Sequence, residues 1–130
     1  MDEETAGKMR SLIRRANLKN FKDDGETQTC SVEVAEGIWR DDVEVAQPYG
    51  SVGQVPEDGA IGIVVSIGAD EGDLVVLSVA NPSVRMGAAR EGDVGLVNRH
   101  GDRMTISDGG VLDAQSAVSM TFTTASGHLK

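Results

Sequence analysis

The chain has 130 residues, with 12 Lys and Arg against 21 Asp and Glu and a formal net charge of −9. That balance excludes a general nucleic-acid binder, which needs a basic face to neutralise phosphate, and aromatics at 3% leave few rings to stack on bases or sugars. With 16 Gly, 3 Pro and many valines, the composition points to strands and tight turns in one domain, or one small domain plus an appendage.

The start, Met1-Asp2-Glu3-Glu4, lacks the basic region and apolar stretch of a signal peptide, so none is expected. Lys8 through Lys22 then holds six basic residues and no acid, whereas the chain from Asp23 onward carries −12. Such asymmetry predicts an arm that meets something the body does not. Met9, Leu12, Ile13 and Ala16 recur at i, i+3, i+4 and i+7, which predicts a helix with Arg10, Arg14 and Arg15 on its other faces. Asn20 and Gly25 read as stop signals. Residues 1–25 are therefore expected to form a basic helical arm that docks its narrow apolar stripe on a neighbouring protein.

Residues 26–84 read as β. Cys30, Val32 and Val34 alternate with polar neighbours, as do Val43 and Val45 around Glu44. Ala60–Ile67 and Leu74–Val79 are two further strands, joined by the polar turn Asp70-Glu71-Gly72-Asp73 into a hairpin. Gly62 within the first of these signals a bend or bulge. Four or five short strands are too few for a sandwich and suit a small Greek-key barrel of the OB type. The boundary is expected between Pro82 and Ala89.

Residues 85–130 hold short β segments with a turn roughly every eight to ten residues. Their apolar residues, about nine in number, cannot close a core alone, because chains below ~40 residues normally need a metal, a disulfide or a partner chain. Intertwined copies of the same chain are the natural solution. Val94, Leu96, Met104, Ile106, Val111, Val118, Met120 and Phe122 are predicted to line the axis around which those copies wind.

Little in the sequence carries chemistry. Cys30 has no neighbouring Cys and reads as a small buried hydrophobe. The single Cys closes no intrachain disulfide, which favours a cytosolic or assembly-made protein. His100 and His128 lack metal-ligand spacing, and Asp70, Glu71 and Asp73 lack the spacing of a calcium loop. No nucleophile is paired with a base, so a non-enzyme is expected. Trp39 and Tyr49 flank the second of these strands and would serve a rival reading, a stand-alone OB module for oligonucleotide or glycan. A peptidoglycan-cleaving enzyme would need a carboxylate pair or metal triad, and no candidate stands out.

The run Val45-Ala46-Gln47-Pro48-Tyr49-Gly50-Ser51-Val52-Gly53, then Pro56-Glu57-Asp58-Gly59-Ala60, Val64-Val65 and Gly68-Ala69-Asp70, resembles the central-spike proteins of contractile tails. These are the baseplate assembly protein V group, and the likeness is nearest to the tail spike of phage Mu. Arg90-Glu91-Gly92-Asp93-Val94-Gly95-Leu96 and Asn98-Arg99-His100-Gly101-Asp102-Arg103 follow in the family's order, so the likeness spans about residues 8 to 113. The resemblance implies an OB-fold domain followed by a triple-stranded β-helix in a parallel homotrimer. It implies a place on the tail axis at the centre of the baseplate, with other baseplate and tail-tube proteins as partners and transient contact with the bacterial envelope. Such a protein is made in the host cytoplasm and resides in the virion. Longer members continue the β-helix and end in an apex where His-x-His motifs bind iron. Here the last segment has one histidine, so no cofactor is expected; the alternative, iron held at a threefold apex by three copies of His128, would leave half an octahedral shell empty. The short length leaves open a hub or blunt spike that a separate tip protein completes.

Overall fold

The computed structural model describes residues 2, 3, 5, 12–70, 72–85 and 89–127. The chain divides into two compact units, Met1–Val84 and Arg85–Lys130.

The first unit is built on five strands, β1 (Ile13–Lys22), β2 (Gln28–Ala35), β3 (Ile38–Val45), β4 (Ile61–Ser66) and β5 (Leu74–Ala80). They close into a barrel in the order β1-β2-β3-β5-β4, with β4 returning to β1. All neighbours are antiparallel except β3 and β5. Strand number and crossover match the Greek-key OB arrangement.

Alternation explains the interior. Val43 and Val45 of β3, Val64 of β4, and Leu74 and Val76 of β5 point inward and meet Cys30 and Val32 of β2. Val32, Val64, Val76 and Cys30 are the most completely buried side chains. Gly62 is where β4 has no room for a side chain. A Cβ there would stand 2.8 Å from Leu18 Cδ1 and 2.9 Å from both Val76 Cγ1 and the Ser78 carbonyl. The expected irregularity lies just beyond it, a register shift between Ile63 and Val64 against β5. The long β3–β4 connection is fastened by Asn81, whose Nδ2 donates to the Pro56 and Asp58 carbonyls at 2.8 Å each.

The segment expected to form a basic helical arm is a strand over Ile13–Lys22. Ile13, Arg14, Arg15 and Ala16 lie in β1, paired with Val65, Val64, Ile63 and Gly62 of β4. Leu12 sits in a bend, and Met9 and Arg10 lie outside the described residues. The burial of β1 has a period of two, with Ala16 and Leu18 inside and Ile13, Arg15 and Asn17 outside. As a helix, this segment would have left β2 and β4 with open edges, whereas as a strand it closes the barrel and removes both. Its four-residue stripe also gives a helix no independent stability. Asn20 stops nothing. It adopts φ 55° inside a β-bulge between Lys19 and Lys22, a left-handed conformation that Asn tolerates. The Glu57 carboxylate accepts its backbone N–H at 2.6 Å.

The second unit is an antiparallel meander of β6 (Val94–Val97), β7 (Arg103–Ile106) and β8 (Leu112–Gln115), in that order. None of its described residues is buried.

Candidate assembly surface

The register of the meander sorts its side chains completely. Cross-strand partners share a face of an antiparallel sheet and alternate residues change face. Val94 pairs with Ile106 and Ile106 with Leu112, while Leu96 pairs with Met104 and Met104 with Ala114. All six are apolar. The opposite face carries Gly95, Val97, Arg103, Thr105, Asp113 and Gln115. The five large side chains of the apolar face are 45 to 77% exposed, so the described residues leave this face largely open.

Two carboxylates hold the strand ends in the same way. Asp93, just before β6, accepts the N–H of Asp108 beyond β7 at 2.9 Å and that of Arg90 at 2.9 Å. Asp102, just before β7, accepts the N–H of Ala117 beyond β8 and the Asn98 side-chain amide, both at 3.0 Å. These bonds favour the charged form. The Asp108 and Arg90 amides hold the Asp93 carboxyl below its ordinary range, and the Ala117 amide and Asn98 do the same for Asp102.

The corners between strands repeat as well. Asn98 N–H donates to the Asp102 carbonyl and Ser107 N–H to that of Val111, while Gly101 and Gly110 close the inner turns onto Asn98 and Ser107. The Asn98 Oδ1 accepts from Asp102 N–H, and Ser107 Oγ from Val111 N–H. Gly92, Gly101 and Gly110 adopt φ of 89°, 87° and 86°, beyond the small left-handed region open to other residues. At Gly92, moreover, any side chain would collide with the Asp108 carboxylate.

Of the residues predicted to line an axis, Val94, Leu96, Met104 and Ile106 lie together on the apolar face. Val111 closes the corner before β8, and Val118, Met120 and Phe122 follow β8 outside any strand. Sequence reasoning missed Leu112 and Ala114. Their signal was the alternation Leu112/Ala114 against Asp113/Gln115, masked by the adjacent Val111.

The barrel offers less. Lys19 Nζ stands 4.1 Å from the centroid of the Trp39 ring, covering a face that a base would otherwise use. Tyr49 is exposed on the β3–β4 connection. A groove lined by Arg15, Asn17, Glu33, Glu36 and Ile61 contains one engaged carboxylate, since Glu33 accepts from Asn17 and from Gly37 N–H. Cys30 is buried, which pushes its thiol up to about 11. No group of three or more metal-ligating side chains occurs among the described residues, and His128 lies outside them.

Residues 15–83 match the family model described as Bacteriophage Mu Gp45, N-terminal. The chain belongs to that family. The matched span runs from within β1 to the turn after β5, so it covers the barrel and stops before the meander. No curated protein matches the chain. The Mu Gp45 family is the baseplate and tail-spike family of the sequence resemblance, and membership assigns a structural role in a phage tail with other tail proteins as partners.

Proposed function

We propose that this member of the Mu Gp45 family is the trimeric central spike or hub on the axis of a contractile phage tail. The observation that carries this reading is the second unit: a sheet with one wholly apolar face and no buried residue. Burying a Val, Leu, Ile or Met side chain stabilises by about 1.5–3 kcal/mol. Five such side chains, already partly covered, leave several kcal/mol per chain to be gained from a partner surface. A second copy supplies the same apolar face, and a closed ring of three leaves no copy unpaired.

In this arrangement Val94, Leu96, Met104, Ile106 and Leu112 point to the axis, while Arg103, Thr105, Asp113 and Gln115 face solvent. A sheet wrapped by its own sister copies has few edges to fray under load. The acidic body stays dispersed until the tail drives it toward the envelope. The rival reading, a stand-alone oligonucleotide or glycan module, is disfavoured by the occupied face of Trp39 and by the charge.

Light scattering tests the proposal. The assembled species has a mass of about 41 kDa, three 13.7-kDa chains, and a monodisperse monomer at micromolar concentration ends the reading.

A further inference from the structure

The β3–β4 connection carries exposed apolar side chains on a fastened backbone. From Val45 to Pro56 it has no charged residue, although residues 23–84 hold 13 acids and a single base, Arg40. Gln47 through Gln54 are all exposed. Tyr49 is exposed over its whole surface, and Val52 is 87% exposed.

Several bonds hold this loop in one shape. Ser51 N–H donates to the Pro48 carbonyl at 3.0 Å, closing a turn with Tyr49 and Gly50 at its centre. Gly50 has φ 85°, the positive value that the third residue of a type II turn requires. The Gly53 carbonyl accepts two side-chain amides, Gln47 Nε2 at 2.7 Å and Gln28 Nε2 at 3.0 Å. Gln28 is buried at the start of β2 and donates to the Asp23 carboxylate as well, at 3.1 Å. Beyond this clasp Val55 packs against the barrel core, and Asn81 holds the Pro56 carbonyl. The folded chain thus bears the ordering cost of a loop tip whose two largest apolar side chains stand in solvent. Ordering met in advance is not lost again on binding, and Tyr is among the residue types that dominate interface energies.

The surroundings choose the partner. Glu44 precedes the uncharged stretch, Glu57 and Asp58 follow it, and Asp23 adjoins it through Gln28. An uncharged centre with an acidic rim has the layout of an interface core and its border. Its complement is an apolar pocket edged by Lys or Arg. A second copy would bring another acidic barrel to this rim, and its residues 85–130, with five acids and five bases, offer no basic excess. Nucleic acid or an anionic lipid would bring phosphates. Each of these meets like charge or gains nothing from it.

We propose that the Gln47–Gln54 loop is a preformed anchor, whose Tyr49 and Val52 seat in an apolar, basic-rimmed pocket of a different tail protein. The inference deepens the spike reading by naming the surface that holds the protein in the tail, and it does not require the trimer.

The test adds purified full-length protein to tails assembled from the phage's own tail genes with this gene deleted, and measures what sediments with the tails. Tyr49→Ala with Val52→Asp should lower retention by about tenfold or more, while mass by light scattering and Trp39 emission match the parent chain. Tyr49→Phe, which keeps the ring, should be retained. A benzophenone photo-cross-linker placed at position 49 should form its adduct with a different tail protein. Undiminished retention of the double variant would overturn the anchor and leave the spike reading standing, as would an adduct with this chain alone or no adduct at all. A monomer that is retained through Tyr49 would end the spike reading and leave the anchor in place.

Discussion

Ile106→Asp is the sharpest perturbation of the proposed axis. Ile106 occupies the middle strand of the meander, between Val94 and Leu112. In the isolated chain its side chain is 45% exposed, so a carboxylate there keeps water and a monomer tolerates it. In a trimer the same position closes on an axis. Each copy then forfeits about 1 kcal/mol of apolar burial, roughly half the full value for Ile, and desolvates an unpaired charge at several kcal/mol. Three copies together lose on the order of 10 kcal/mol, or about seven decades in the association constant. Assembly at micromolar concentration should vanish, with light scattering reading one chain and the emission of Trp39, the sole tryptophan, reporting an intact barrel. Gln115→Lys, on the opposite face, should leave the trimer in place. An unchanged trimer in the Ile106 variant would refute the inward register, and loss of the trimer in both variants would refute the division into faces.

Gly62→Val forces a side chain against Leu18, Val76 and the Ser78 carbonyl. It should cost about 1–3 kcal/mol of barrel stability, measured by urea denaturation followed through Trp39, and an unshifted midpoint would contradict the tight approach. Asp93 and Asp102 have lowered pKa values in the folded chain. Their contribution is therefore complete above the ordinary carboxylate range and lost as pH falls through the folded values. The thermal midpoint of the second unit should drop in acid, and Asp93→Asn with Asp102→Asn should flatten that dependence; a variant with the original slope would show that the clasps do not act. Cys30, with its thiol near 11, should resist thiol reagents at pH 8 until the barrel is denatured. Rapid labelling of the native protein would contradict its burial.

Four barrel strands were legible because Val, Ile and Leu alternate in them without competition. The fifth was not, although an OB barrel requires one. Ile13 and Ala16 fit a helical spacing with Met9 and Leu12, and Ala16 also fits a strand spacing with Leu18. Local pattern does not decide between the two. The decision comes from tertiary structure, because two open edges flank a gap at Gly62 that Leu18 fills. In the second unit the apolar alternation of β6 and β7 was visible, but the phase of β8 was not. Val111 and Leu112 are both apolar, and only the hydrogen-bonded corner that consumes Val111 turns Leu112 to the face of Ile106.

The nine-residue corner also dictates how such a protein tolerates insertions. Strands begin at Val94, Arg103 and Leu112, nine residues apart; each adds one rung of about 4.8 Å, each hairpin corner reverses the direction, and because nine is odd the apolar positions shift by one from rung to rung. Lengthening by eighteen residues restores both direction and phase, whereas gain of a single residue turns every later side chain inside out. Related second units should therefore differ by paired strands, and their gaps in alignment should fall in multiples of eighteen.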